Sequence, residues 1–224
     1  MKEKTPLREY YTRRAPGYDA IYERKDPARR SELTGVERRV AAVCRGRRVL
    51  EVACGTGYWT AVAAREAHLV AATDASPGML AEARRKLAPD GGVVRFVLAD
   101  AYRLECLRGE FDAAFAGFWF SHVPKAAVGE FLEGLHRRLR PGARVLLFDN
   151  ENVPGVGGEL TGGGADGDTF KDRRLDDGTR VRVLKNYFGP GDLEALLAPW
   201  VEDLDVVHGA YYWTAVYRPR RRPG

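Results

Sequence analysis

The chain has 224 residues, enough for one α/β domain with an inserted cap and too few for two average domains. Hydrophobic residues make up 45% and charged residues 30%, which excludes a disordered or fibrous chain; three widely spaced cysteines without a C-x-x-C pair exclude a disulfide framework and a zinc site. The formal net charge of +5 is concentrated in a Pro-flanked tail holding Arg218, Arg220, Arg221 and Arg222; the body is nearly neutral, no aromatic residues interleave with the run, and a nucleic-acid partner is not expected.

Met1-Lys2-Glu3-Lys4 leads into charged and aromatic residues rather than an apolar run, so no signal peptide is expected and the compartment is expected to be the cytoplasm. Residues 1–46 read as an N-terminal helical lid, with Tyr10, Tyr11, Tyr18 and Tyr22 ahead of an amphipathic stretch from about Ser31 to Val43. From Arg48 strands and helices alternate. A strand over 49–53, a glycine turn, a helix from about Tyr58 and a strand over 69–73 form a βαβ unit. A helix over 77–87, strands over 93–98 and 111–116, a helix over 125–139 and a strand over 143–148 extend it into a mostly parallel sheet. The most apolar stretch, Ala113 to Phe120, is far shorter than the about 20 residues a membrane-spanning helix needs, so no membrane partner is expected. Residues 150–187 are rich in Gly and Asp and read as a cap inserted into a core of 47–224. Within the cap a hairpin of 170–174 with 179–184 is expected around Asp177-Gly178. A helix over 190–197 and an antiparallel pair, 201–208 with 211–217, close the chain.

The chemistry concentrates at strand ends. Between the first strand and its helix lies Glu51-Val52-Ala53-Cys54-Gly55-Thr56-Gly57, where an open α/β sheet builds its ligand crevice. Its two glycines let a ligand approach the main chain, and the helix beyond presents free N–H groups. Asp74 follows 23 positions after Glu51, at the second strand's end, where a carboxylate can accept both hydroxyl hydrogens of a ribose. Asp100 ends the third strand 26 positions later and can accept from an adenine amino group, with the Ala101 backbone at the ring edge. An NAD(P)-dependent oxidoreductase shares the strand, turn, helix and downstream acid. It needs a third glycine for its pyrophosphate, and Thr60 stands there behind bulky Tyr58 and Trp59.

These segments resemble the class I S-adenosylmethionine (SAM)-dependent methyltransferase family, small-molecule type. Residues 49–57 match its first motif and Thr73-Asp74-Ala75-Ser76-Pro77-Gly78-Met79-Leu80 its second; Leu98-Ala99-Asp100-Ala101, Phe111-Asp112-Ala113-Ala114 and Leu139-Arg140-Pro141-Gly142 look like later ones. The resemblance implies a Rossmann-like seven-stranded sheet, mostly parallel with an antiparallel last strand and helices on both faces. It implies SAM as cofactor, with Glu51, Ala53, Gly55 and Gly57 near its methionine part, Asp74 and Ala75 on the ribose, and Asp100 and Ala101 on adenine. Met79 would cover one purine face, with Tyr102 nearby and Phe118 completing the shell. The run from Tyr10 to Asp19 also looks like the family's lid segment, in which Tyr11, Arg14 and Tyr18 either close over the cofactor or merely pack the helical cover.

Methyl transfer demands alignment and exclusion of water, and no metal is chemically required. His122 lies where the fourth strand opens, either as a general base or as a structural histidine. The family's Asn-Pro-Pro-Tyr motif for nucleobase amines is absent; Gly117-Phe118-Trp119-Phe120 stands there instead. Trp119 and Phe120 are candidates for an aromatic acceptor pocket or the core, as are Tyr211, Tyr212 and Trp213. Asp149, Asn150, Lys185, Asn186 and Tyr187 are polar candidates for orienting an acceptor. The expected activity is methyl transfer from SAM to a small-molecule acceptor, by a monomer or homodimer; an RNA methyltransferase using the basic tail is the alternative.

Overall fold

A computed structural model describes residues 4–15, 18–22, 26–87, 92–156, 159–164, 166–174 and 178–220. The lid motif's Pro16 and Gly17, and Arg221 and Arg222 of the tail, lie outside the described residues. Of the other tail arginines, Arg218 pairs with Asp203 at 3.3 Å and Arg220 donates to the Val201 carbonyl at 3.0 Å.

The chain starts with α1 (Lys4–Arg14), a 3-10 turn (Tyr18–Ile21) and α2 (Pro27–Cys44). Asp26 caps α2 by accepting from the Ala28 and Arg29 amides, and Pro27 takes the first helical position, where its missing N–H costs nothing. That start lies ahead of the amphipathic stretch, whose Leu33, Val36, Val40 and Val43 face the core. Then follow β1 (Arg48–Val52), α3 (Tyr58–Ala64), β2 (Leu69–Asp74), α4 (Pro77–Leu87), β3 (Val94–Leu98), β4 (Phe111–Gly117), α5 (Val128–His136) and β5 (Leu139–Asn150). The segment read from the sequence as a cap contributes β6 (Leu160–Thr161), β7 (Phe170–Arg174) and β8 (Arg180–Leu184), and α6 (Asp192–Leu197), β9 (Val201–His208) and β10 (Tyr212–Pro219) follow it.

Seven strands form one sheet in the order β3-β2-β1-β4-β5-β10-β9. β1 to β5 pair in parallel, and β10 runs antiparallel to both β5 and β9. Alternate residues feed two cores, as the period of a strand requires. Leu50, Val52, Ala114, Ala116, Val145 and Leu147 pack with α5 and α6, whereas Val49, Ala113, Phe115, Leu146 and Phe148 pack with α2 and α3. The sheet is a Rossmann-like one, and its first reversal of strand order, between β1 and β4, opens a crevice at the carboxyl ends of the strands.

Two boundaries differ from the sequence reading. The helix expected over 125–139 is a 3-10 turn (Lys125–Ala127) followed by α5, which stops at His136 because Leu139 already pairs with Phe111 as the start of β5. Arg140-Pro141-Gly142 is therefore an irregularity inside β5: pairing resumes at Ala113 opposite Arg144, and Gly142 takes the left-handed φ of +78° that the bulge needs. The hairpin expected over 170–174 with 179–184 forms as β7 paired antiparallel with β8, and β6 is added to make a separate three-stranded sheet β6-β7-β8; Asp177 of its expected turn lies outside the described residues.

Candidate functional site

The crevice is built from backbone strain and buried acids. Ala53 and Phe118, at the ends of β1 and β4, hold left-handed φ angles of 56° and 55°, a conformation costly for residues with a Cβ and concentrated at functional sites. At Gly55, φ is +57° and an added Cβ would meet nothing within 4 Å, so the outer side of the loop is open to a ligand. Gly57 is tighter: its φ is +84° and a Cβ would lie 3.1 Å from that of Ala83 on α4. Asp74 ties the loop to β2, with Oδ2 accepting from Gly55 N–H at 2.9 Å and Oδ1 from Ser76 N–H at 2.8 Å. Burial raises its pKa, and these amides oppose the shift. Glu51 is 2% exposed, burial pushes its carboxyl up to about 8, and Oε2 has no hydrogen-bond partner. Asp100 accepts from the Tyr102 amide at 2.9 Å, beside buried Ala101 and Tyr102. Met79 is buried on α4, and Ala75 lies between Asp74 and the N–H donor Ser76.

The N-terminal segment docks over this crevice. Thr12 Oγ1 bonds Ser76 Oγ at 2.8 Å, Asp19 bonds both Thr56 of the glycine turn and Lys86 of α4, and Tyr22 stacks on Tyr58 at 3.9 Å. Tyr11 packs edge-on against Tyr18 at 5.9 Å, and Arg14 donates to Tyr10 Oη at 2.9 Å while its guanidinium lies 5.4 Å over the Tyr18 ring. Beside the crevice is a cavity of about 190 Å³, with Tyr11, Arg14, Tyr18 and Tyr22 on the lid side and Phe118, His122, Asn150 and Tyr212 on the sheet side. The cap closes it with Arg173, Val183, Lys185 and Tyr187.

The cap is stitched to the core through consecutive residues. The His122 Nδ1 lies 2.6 Å from the Leu184 carbonyl, Lys185 Nζ donates to Ser121 Oγ at 2.6 Å and Asp149 Oδ1 at 2.7 Å, and the Asn186 amide donates to the Ser121 carbonyl at 2.8 Å. Because a carbonyl only accepts, His122 carries its proton on Nδ1; Nε2 must then accept, and Tyr11 Oη donates to it at 2.8 Å. Burial, reinforced by Lys185, holds the His122 pKa down at about 4. Asp149 is fully buried, which by itself raises its pKa, but Lys185, His122 and the hydrogen bonds from Lys185 and Ser121 together hold its carboxyl below the usual range.

Several sequence candidates lie elsewhere. Asn186 does not reach the cavity: it is 1% exposed, and its amide is consumed by the Thr169 N–H, Asp168 and the Val123 carbonyl at the base of the cap. Trp119 is not among the cavity residues either; its ring lies 6.4 Å from those of both Tyr102 and His122, and its buried Nε1 has no partner. Phe120 and Trp213 are core residues, and Tyr211 bonds Asp26 at 2.7 Å. Thr12 and Asp19 lie in the lid-like run, but the sequence does not single them out as its anchors; Lys86 on α4, and Arg29 and Arg173 at the cavity, are marked by neither motif nor periodicity, because only the docking of separate segments brings them in.

Residues 49–142 match the family model described as methyltransferase domain. The demethylmenaquinone methyltransferase of Clavibacter sepedonicus is 41% identical over 117 residues, 52% of this chain and 46% of that protein. That of Beutenbergia cavernae is 38% identical over 109 residues, 49% and 43% of the respective chains. The chain spans about half the length of these curated relatives. Among solved structures, the DhpI–SAH complex superimposes with a TM-score of 0.77 and 29% identity, covering 97% of both chains. The DhpI–SAM–HEP complex gives 0.76 and 29%, over 96% of this chain and 97% of that one. No helix among the described residues is long and apolar enough to cross a membrane.

Proposed function

We propose that the chain is a class I SAM-dependent methyltransferase and transfers a methyl group from SAM to a small-molecule acceptor held in the tyrosine-lined cavity. The observation that carries this reading is the set of three acids, Glu51, Asp74 and Asp100, at the carboxyl ends of the adjacent strands β1, β2 and β3, around an open glycine loop. SAM, when bound, supplies a methyl carbon on a positively charged sulfur. Asp74 is held by two amides and keeps lone pairs for two ribose hydroxyls. The unpartnered Oε2 of Glu51 suits the ammonium of the methionine part, whose charge draws the carboxyl back to its ionised form. Asp100 and Ala101 take the adenine edge, and Tyr11, Arg14 and Tyr18 exclude water from above. In this reading residues 1–46 are the lid and 150–187 the cap of a cytoplasmic enzyme with a core of 47–224, a monomer or homodimer. The cavity of about 190 Å³ falls below the roughly 300–1,000 Å³ of sites for drug-sized ligands, which supports a small acceptor.

Saturable SAM binding is expected from the purified protein, and Asp74→Ala should weaken it by about 1–3 kcal/mol through lost charge-assisted hydrogen bonds. Failure of the unaltered protein to bind SAM, with NAD bound in its place, overturns the reading. His122 acts here by positioning Tyr11. With a pKa of about 4 it is neutral across the working range, and its one lone pair already accepts the Tyr11 hydroxyl. The expected kcat/KM therefore shows no titration of His122 between about pH 5.5 and 8. A limb falling tenfold per pH unit below neutrality, present in the native enzyme and lost in His122→Gln, would instead make it the base.

A further inference from the structure

We propose that the cavity is built for a small oxyanion, a carboxylate or phosphonate, and that one of its oxygens is the atom methylated. This rests on the methyltransferase reading above and adds the acceptor's chemical class. Four cationic side chains, Arg14, Arg29, Arg173 and Lys185, face a cavity whose lining includes one carboxylate, Glu151. Glu151 is already engaged by His208 Nδ1 at 2.7 Å. Arg29 donates Nε to Tyr212 Oη at 2.8 Å and shares its charge with Asp26 at the surface, whereas Arg14 is fixed by a neutral hydroxyl, that of Tyr10, which leaves its charge for the cavity. Lys185 spends two of its three N–H donors on Ser121 and Asp149 and keeps the third.

Arg173 is the most telling. It projects from β7, is half-buried, and pairs with no carboxylate among the described residues, yet its charge bears on Tyr11, His122 and Tyr187. A planar guanidinium with free donors that shares its cavity with a lysine is suited to grip the non-reacting oxygens of a carboxylate or phosphonate. Tyrosine rings, with Phe118 and three valines, supply most of the remaining walls.

The chemistry then needs no base. The acceptor oxygen gives an electron pair to the methyl carbon, the carbon–sulfur bond breaks with its pair passing to sulfur, and the negative charge of the oxyanion cancels the positive charge of the sulfonium. The product is a methyl ester, and no proton moves. This accounts for a histidine locked neutral and hydrogen-bonded at the place where a hydroxyl or amine acceptor would need a free base.

The test is calorimetric titration of the full chain with S-adenosylhomocysteine present, using propionate, lactate, ethylphosphonate and inorganic phosphate as probes and propionamide as the neutral control. Saturable binding of at least one anion is expected, none of propionamide, and a loss of about tenfold or more in Arg173→Gln with S-adenosylhomocysteine affinity unchanged. Which probe binds separates the carboxylate from the phosphorus oxyanion. Binding of S-adenosylhomocysteine but of no anion, equal binding of propionamide, or indifference to Arg173→Gln each overturns the inference and leaves the methyltransferase reading standing. Failure to bind S-adenosylhomocysteine removes both.

Discussion

Asp149→Ala is expected to cost the fold about 3–5 kcal/mol, because removing one partner of a buried ion pair strands the other without compensation. The stranded group is Lys185, itself 5% exposed, and the Ser121 amide loses its carboxylate acceptor at 3.0 Å in the same change. Urea unfolding should show a lower midpoint. Pairing the change with Lys185→Met removes both charges and should recover much of the loss; a double variant as unstable as the two single losses added together would show that the pair carries no coupling. Activity should fall as well, since Lys185 joins the cap to the ends of β4 and β5. The same cluster makes the fold acid-sensitive. His122 titrates at about 4 in the fold against 6.5 as its ordinary value, so its contribution is whole above about pH 6.5 and is lost as the pH falls toward 4. Asp149, held below its ordinary range, adds its own loss only at still lower pH.

Phe148→Ala should cost a similar about 3–5 kcal/mol, the range for truncating a fully buried aromatic residue. Its ring is completely buried and meets Trp59 at 4.7 Å and Phe118 at 5.4 Å edge-on. It also fills the space at Gly117, where an added Cβ would fall 2.3 Å from the ring. The truncation therefore opens a hole under the residue whose left-handed backbone carries β4 into the site. A fall in the urea midpoint with an unchanged slope, together with weaker SAM binding, is expected; Phe148→Leu keeps most of the volume and should lose less on both counts. A native-like midpoint for Phe148→Ala would mean that the ring does not hold this end of the sheet.

The alternation of apolar strands with amphipathic helices determined the Rossmann-like sheet, since parallel strands covered on both faces must be apolar throughout and must cross over through helices. Glu51, Gly55, Gly57, Asp74 and Asp100 were legible for a related reason: the crevice of such a sheet forms at strand ends, and strand ends are marked in the sequence by where apolar runs stop. Local patterning also yielded the cap hairpin, through Asp-Gly between its two strands. Tertiary structure alone decided the rest. Asn186 and Tyr187 are neighbours in sequence, yet one is used up in hydrogen bonds to Asp168, Thr169 and Val123 and the other lines the cavity, a division set by how this segment docks. Arg14, Arg29 and Arg173 come from three separate elements, and no spacing in the sequence relates them. His122 was visible as a titratable group at the right strand end, but its role follows from two partners, Leu184 and Tyr11, that lie 62 and 111 positions away. The strand-end crevice is local and repeats along the chain with the βα units, so it can be read; the cavity beside it is made of contacts between segments that meet only once the chain has folded.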